Sequence, residues 1–571
     1  MTDQPRTVAQ GFLTAMKSAG VDWIFANAGT DFAPVIEAMA ALGSEADVSA
    51  PHPVEVLHET VAVAMAHGYY LMTGRPQCVM VHVNVGAANS LLGVINAARG
   101  NVPVLFVSGR TPITERGRLG SRDVPIHWGQ EMFDQGGMLR EFVKWDNELR
   151  AGEQIVDQVG RALAISEAQP KGPVYLSLPR EVLAEPLPEE FEPVGGPPVV
   201  PTDPYPDPNA IAAAAQLLAE AEQPLIITSG GGEELFSVLG DFAEQFAIPV
   251  VQFWRTSPAI STDHPMYGGE HPRPLLGEAD VVLVLDTMVP WMPQHMALRE
   301  GARVIEIGPD PLFAGVPVRS FPADLVITST PEIAISELGA ALHASGHADN
   351  PVTAARRAAL VPRLNAARAA EIARADRPGG SPMTPEFMSR TLSDVAGPEA
   401  TIVNELGLAT GVMDFTRHDS IFSPPISGGL GWGGGAALGA KLARPDRLVI
   451  WATGDGSYVF SNPPACHHAA ASLGLGMLTV VADNRVWNAV RRSTMAVYPK
   501  GAAAGAEHVP LSSLEPAPDY PKLVEAYGGH GTHVEDPDEL RPAFERGVEM
   551  ARAGRQALVS VHVSYTDVPF H

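Results

Sequence analysis

Cysteine is almost missing from this chain: its 571 residues include only Cys78 and Cys466. Two thiols in unrelated contexts exclude a disulfide framework and a cysteine-based metal module, and they make a reducing, cytoplasmic setting the expected one. Positive charge is scarce as well. With 39 Lys and Arg against 65 Asp and Glu, the net charge of −26 argues against a nucleic-acid surface and against docking on anionic lipid. Long apolar runs are also lacking. A long stretch without charged residues or His, Ser420–Ala440, is rich in glycine, broken by Pro424 and Pro425 and followed by Lys441, so it reads as buried, close-packed backbone rather than a membrane span. The first twenty residues have neither the basic nor the apolar segment of a secretion signal. What remains, 45% apolar and 18% charged residues, describes a well-packed globular protein too long for a single hydrophobic core.

What is present is a repeating α/β pattern. A proline-rich run, Pro186–Pro208, and the segment Arg377–Pro382 after an Ala/Arg-rich helical stretch read as linkers, giving expected domains over 1–185, 200–345 and 380–571. In each piece, β-branched runs bounded by Gly or Pro alternate with Ala-rich helical stretches, which predicts α/β domains with parallel sheets flanked by helices. Predicted strands include 21–26, 77–83, 102–109, 224–230, 279–286, 302–308, 447–453, 477–483 and 557–563. The first and third pieces echo each other. In both, a helix of small residues (59–74 and 431–443) runs through Arg-Pro into a buried strand (77–83 and 447–453), which suggests a duplicated unit.

The chemistry-bearing motif follows the strand 447–453. It runs into Gly454-Asp455-Gly456-Ser457, which opens a helix, and the next strand ends at Asp483-Asn484. Both motifs therefore fall at the carboxyl edge of a parallel sheet, where α/β folds bind ligands. A magnesium ion takes oxygen ligands in octahedral geometry, with one or two protein side chains and phosphates supplying several of them, and Asp455 and the Asn484 amide oxygen suit it. Glycines that lack a Cβ let backbone N–H groups approach phosphate at a helix start. Gly-Asp-Gly alone is most often a plain turn; the second strand with its terminal Asn is what makes it specific.

Strand, Gly-Asp-Gly-Ser, helix, strand and Asn in that order resemble the thiamine-diphosphate signature of the acetolactate synthase and 2-oxo-acid decarboxylase family, and the resemblance runs along essentially the whole chain. It implies a pyrimidine-binding, a central and a diphosphate-binding domain. It also implies Mg²⁺ held by Asp455, Asn484 and the main-chain carbonyl of Val486, with Gly454, Gly456, Ser457 and Trp487 around the cofactor. Two departures stand out: the gap from Asp455 to Asn484 is about two residues longer than the family's, and Asp483 replaces the first residue of an Asn-Asn pair. The extra length is expected at Asn462-Pro463-Pro464. Glu59, in His58-Glu59-Thr60, resembles the family's activating carboxylate, which protonates the aminopyrimidine ring and would need to be buried. Ser427–Gly431 resembles the element that bends the cofactor, with Leu430 as the apolar wedge and the Gly428 carbonyl as acceptor. Phe25–Gly29, Gly86–Asn89 and Lys144-Trp145 match further family segments. In this family the Glu and the Gly-Asp-Gly element meet across a subunit interface, which implies at least a homodimer and favours a homotetramer.

Among family members, the motifs look closest to benzoylformate decarboxylase. Val81–Gly86 resembles a segment carrying an active-site His, which falls on His82; Thr30 takes the place of a carboxylate-binding Ser, and His264 stands near a second active-site His. Ala489 and Val490, after Trp487-Asn488, put apolar residues where pyruvate decarboxylases carry Glu. The implied function is decarboxylation of a 2-oxo acid, with carboligation to an aldehyde acceptor as a further outcome. The alternatives are a thiamine-dependent carboligase, an acyltransferase or an acyl-CoA lyase. A non-enzyme reading is a nucleotide-binding protein using the Ser229–Gly232 turn, although that turn lacks a full dinucleotide fingerprint. A lone His is more often structural than catalytic. Cys466, His467 and His468 cannot converge on one ion from a helix without further ligands and read as packing or pocket-lining groups. Arg491-Arg492 and the segment His127–Glu131 read equally as anion contacts or as solvated surface.

Overall fold

Apolar runs such as Val281–Leu285, buried along their whole length, leave their backbone groups only one another to bond. In the computed structural model, which describes residues 6–43, 49–191, 198–348 and 350–567, such runs form three all-parallel sheets flanked by helices. Residues 192–197 of the first expected linker lie outside the described residues.

The first sheet contains β1 (Trp23–Asn27), β2 (His52–Glu55), β3 (Gln77–Val81), β4 (Val104–Arg110), β5 (Asp146–Glu148) and β6 (Val174–Pro179), in the order β2-β1-β3-β4-β6-β5. The central sheet contains β7 (Pro224–Thr228), β8 (Val250–Gln252), β9 (Val281–Leu285), β10 (Arg303–Gly308) and β11 (Leu325–Thr328), in the order β11-β10-β9-β7-β8. The third contains β12 (Thr401–Glu405), β13 (Ile421–Phe422), β14 (Val449–Gly454), β15 (Leu478–Asp483), β16 (His530–Val534) and β17 (Ala557–His562). Its order, β13-β12-β14-β15-β17-β16, repeats that of the first sheet strand for strand. The duplicated unit expected from sequence is thus a duplicated topology.

The described residues form two compact bodies. One holds the first sheet together with the segments Pro424–Asp446 and Ser457–Leu475; the other holds the central and third sheets. In the first body, the small-residue helices Glu59–Thr73 and Trp432–Ala443 cross so closely that a Cβ on Gly68 or Gly439 would overlap the carbonyl oxygen of Ala436 or Met65. The stretch read as close-packed backbone enters this crossing from Trp432 on, whereas Ile426 and Gly428 before it are exposed.

Several sequence-based boundaries move. The predicted strand 77–83 stops at Val81, and Val83, at φ +32°, starts the helix Val83–Arg99. The helix after Gly-Asp-Gly-Ser is two helices, Asp455–Phe460 and Pro463–Ser472, separated at Asn462 (φ +52°), where the longer spacing is taken up. Pro208 opens the helix Pro208–Glu220 capped by Asp207, so the first linker ends earlier than its proline content suggests. The strands β2, β5, β6, β8, β11, β12, β13 and β16 are absent from the predicted set, being short, half-exposed or interrupted by polar residues. No helix among the described residues is long and apolar enough to cross a membrane.

Candidate active site

In the body that holds the third sheet, β14 and β15 are adjacent and in parallel register, Gly454 opposite Ala482. This register brings Asp455 and Asp483-Asn484 to the same sheet edge. Asp455 is 3% exposed. Its Oδ1 accepts the Gly456 N–H at 2.8 Å, and its Oδ2 accepts the N–H groups of Arg485 (2.7 Å) and Asn484 (3.2 Å). Asn484 closes a local turn by accepting the Val486 N–H on its amide oxygen at 3.0 Å. A Cβ on Gly456 would overlap the Trp487 indole, so only glycine lets that ring lie against the turn.

Two buried carboxylates share this edge. Asp483 Oδ1 is buried without a hydrogen-bond partner, and the nearest guanidinium nitrogen, Arg485 Nε, stands 3.7 Å from its Oδ2. Burial first, with the neighbouring Asp483 carboxylate adding to it against the stabilising backbone N–H groups, pushes the Asp455 carboxyl up to about 7. An anionic, desolvated oxygen cluster of this kind fits a hard divalent cation. Among the described residues no three His, Cys, Asp or Glu side chains converge on one point.

In the other body, Glu59 opens the helix Glu59–Thr73, where the helix dipole favours its charge. It is half-buried and accepts the Asn89 amide N–H at 2.5 Å; within one chain it is not the enclosed carboxylate the resemblance implies, because it sits on the first turn beside the exposed Leu57. The Ser427–Gly431 turn is fixed from the helix Val83–Arg99. Asn96 donates to the Gly429 carbonyl at 2.8 Å and accepts from Ser427 Oγ at 2.5 Å, while Gly428 and Gly431 take positive φ. Leu430 is half-buried beside them.

His82 follows β3 directly, at the carboxyl edge of the first sheet. Its Nδ1 lies 2.5 Å from Asp31 Oδ1, and its Nε2 lies 3.0 Å from the amide nitrogen of Gln130. Asp31 was not anticipated from the sequence, and Gln130 only as part of the segment His127–Glu131, not as a partner of His82. The nearest signals were the Gly-Thr-Asp exit from β1 and the Gln-Glu pair at 130–131. Thr30 is exposed, with its carbonyl accepting from Arg180 at 3.3 Å. The arginines near this edge are paired: Arg110 with Glu131 (2.9 Å) and Glu148 (3.0 Å), Arg122 with Glu131, and Arg180 with Asp123 (3.0 Å).

Other candidates find different surroundings. His264 faces Glu244 of the central domain's helix Glu233–Phe246 at 3.6 Å, accepts its own turn's Met266 N–H, and is held toward the neutral form by burial. Ala489 and Val490 lie exposed on the helix Asn488–Val497. Arg491 on that helix binds Asp567 and stacks on Tyr565, so it is tied to the tail that follows β17. His467 is buried against the Tyr458 hydroxyl at 2.8 Å and Cys466 donates to the Ser461 carbonyl, which makes both packing groups, as expected. His127 is buried against Asp123. In the Ser229–Gly232 turn, the N–H groups of Ser229, Gly230 and Gly231 are taken by the hydroxyls of Thr287, Thr228 and Ser257, and Glu233 and Glu234 follow, a poor setting for a phosphate.

Three domain models of one family match the chain: the N-terminal TPP binding domain of thiamine pyrophosphate enzymes over residues 6–138, their central domain over 211–338 and their C-terminal TPP binding domain over 405–561. The chain belongs to the thiamine pyrophosphate enzyme family. It is an enzyme that binds thiamine diphosphate, a cofactor this family usually uses with Mg²⁺, and the non-enzyme reading is set aside. Similar curated relatives include sulfoacetaldehyde acetyltransferase of Rhodobacter capsulatus, 24% identical with 98% of this chain and 94% of the relative covered. Benzoylformate decarboxylase of Pseudomonas aeruginosa is 26% identical over 88% of this chain and 90% of its own. The benzoylformate decarboxylase structure from Polynucleobacter necessarius aligns with a TM-score of 0.79 at 20% identity, covering 99% of this chain and 100% of that one, and at that identity it speaks for the fold alone. The family as a whole contains decarboxylases, synthases and acetyltransferases.

Proposed function

We propose that this thiamine pyrophosphate enzyme decarboxylates a 2-oxo acid and releases the aldehyde, with transfer to an aldehyde acceptor as a second outcome. The observation that carries the reading is His82, a histidine held from both ring nitrogens at the carboxyl edge of the first sheet. Release of an aldehyde requires a proton to be delivered after CO₂ has left, and a held imidazole is the side chain suited to that near neutral pH. When bound, thiamine diphosphate supplies the nucleophilic carbon and the electron sink for loss of CO₂.

The chain's own residues take the following roles. Asp455, Asn484 and the Val486 carbonyl hold the Mg²⁺ and, with Gly454, Gly456 and Ser457, the diphosphate; Trp487 lines that turn. Glu59 holds the proton exchanged with the pyrimidine ring. The Gly428 carbonyl and Leu430 orient and bend the cofactor. Thr30 contacts the substrate carboxylate, with Ala489 and Val490 as apolar lining, and His264 stands outside this set as the weakest candidate. The expected domains 1–185, 200–345 and 380–571 and a homodimer or homotetramer remain part of the proposal.

A second reading, acyl transfer to an anionic acceptor, is favoured by the sulfoacetaldehyde acetyltransferase relatives. Against it, Arg110, Arg122 and Arg180 already have carboxylate partners, which leaves them poorly placed to clamp an anion. The test is incubation of the cofactor-loaded enzyme with a panel of aryl and alkyl 2-oxo acids. CO₂ and free aldehyde without any acceptor are expected. CO₂ that appears only when an anionic aldehyde such as sulfoacetaldehyde is present, with the remaining fragment bonded to that aldehyde as a hydroxyketone, would establish transfer, and no CO₂ from any 2-oxo acid would end the decarboxylase reading.

A further inference from the structure

We propose that Asp31 is the positioning residue of His82, fixing which ring nitrogen carries the exchangeable proton, and that Gln130 is the partner that serves that nitrogen in both of its charge states. The proposal deepens the reading of His82 given above and rests on it for its catalytic meaning.

Asp31 is 3% exposed, in the turn after β1. One carboxylate oxygen faces His82 Nδ1 at 2.5 Å; the other accepts the Val83 N–H at 3.2 Å. Val83 is a β-branched residue at φ +32°, a conformation such side chains rarely adopt, and the carboxylate holds its N–H and the ring of the residue before it. Space for the pair is made by glycine on two strand exits. A Cβ on Gly29 would overlap the His82 ring, and one on Gly109 would overlap the Asp31 carboxylate. Three strands, β1, β3 and β4, thus cooperate to bring one carboxylate against one imidazole.

The consequence for the proton follows from hydrogen-bond chemistry. A carboxylate only accepts, so Nδ1 carries a hydrogen whether the ring is neutral or charged, and the atom that gains and loses a proton is Nε2. In the neutral ring, bare Nε2 takes an N–H from the Gln130 amide. In the charged ring Nε2–H needs an acceptor, and the Gln130 Oε1 atom is buried without a partner. Rotation of the amide brings that oxygen to Nε2, so one side chain satisfies both states. A substrate group that displaces the amide then meets Nε2 alone: the proton passes from Nε2 to that group and is replaced from water, while Nδ1–H stays with Asp31. His127 is also in electrostatic reach, and burial and then Arg180 hold it toward its neutral form, with Asp123 opposing them. Glu131, beside Gln130, is committed to Arg110 and Arg122.

A helix-capping carboxylate would show part of the same geometry, because Asp31 also bonds the first N–H of the helix Val83–Arg99. Asp31→Asn separates the two roles, since it keeps the size and an acceptor oxygen but loses the charge and the fixed accepting face. The experiment measures kcat and KM for CO₂ release, thiamine diphosphate affinity and the melting temperature for Asp31→Asn, His82→Ala and the double variant. Histidine ring ¹⁵N spectra of the wild type and Asp31→Asn are recorded beside them, with the His82 signals assigned by their loss in His82→Ala. Expected are a kcat lowered about 100-fold in Asp31→Asn with KM within about threefold, and a double variant no slower than His82→Ala alone. The spectra should show the Nδ1–H form in the wild type and a mixture in Asp31→Asn. Equal losses from Asp31→Asn in the presence and absence of His82 would reduce Asp31 to a helix cap and overturn the proposal, as would an unchanged tautomer. Full activity in His82→Ala would instead sink the reading of His82 itself, and the spectra would still decide what Asp31 does to the ring.

Discussion

At the level of single residues, the two carboxylates that the sequence singles out do opposite things in the fold. Asp455 is buried and gripped by three N–H groups, with a second buried carboxylate beside it. Glu59 is half-buried, with one amide partner. Removing the first should therefore remove the cation's anchor, whereas removing the charge of the second should leave binding intact. Titration calorimetry with thiamine diphosphate and Mg²⁺ is expected to show no binding to Asp455→Ala and near wild-type binding to Glu59→Gln. In the latter, deuterium exchange at the cofactor's reactive carbon and turnover should both fall at least about 100-fold. Wild-type turnover in Glu59→Gln would remove Glu59 from the site. Asp455 and Asn484 were legible because each lies in a contiguous motif that ends a predicted strand. Asp31 and Gln130 were not, because they come from separate exits of the first sheet and nothing in a linear reading joins position 31 to position 82.

The elements tell a similar story about what a sequence reveals. The central strands β3, β9, β14 and β15 were legible, being short apolar runs closed by Gly, Pro or Asp. Edge strands such as β2 and β16 were not, because one exposed face erases the apolar run and their strand character comes from neighbours. The small-residue helices were legible as close-packing elements, and the fold supplies the reason. Gly439 in Trp432–Ala443 faces the Met65 carbonyl of Glu59–Thr73, and a Cβ there has no room. A carbonyl in a helix cannot move aside without breaking the helix, so even Gly439→Ala must push the two helices apart. The expected cost is about 1–3 kcal/mol, read as a lowered melting temperature and a lower soluble yield. Because Glu59 opens one of these helices, activity should fall further than the folded fraction does. An unchanged melting temperature would mean that the crossing is looser than the backbone geometry requires.

For the whole molecule, the repeated strand order has a functional consequence. His82 leaves β3 in the first sheet at the topological place from which Asp455 leaves β14 in the third, so on the proposed roles one edge would serve proton chemistry and its counterpart the cation. In the proposed homodimer each site would draw Glu59 from one subunit and Asp455 from the other. This arrangement makes a quantitative prediction that a site within one chain does not. Glu59→Gln and Asp455→Ala are each expected to be inactive alone. If the two proteins are unfolded together and refolded as an equal mixture, random pairing makes half of the dimers mixed. Each mixed dimer carries one site with both defects and one with neither, so about a quarter of wild-type activity should return. Sedimentation of the mixture should show no species smaller than a dimer. No recovery of activity from a mixture shown to contain mixed dimers would mean that Glu59 and Asp455 serve the same site from the same chain, and the assembly would then have to be explained by something other than catalysis.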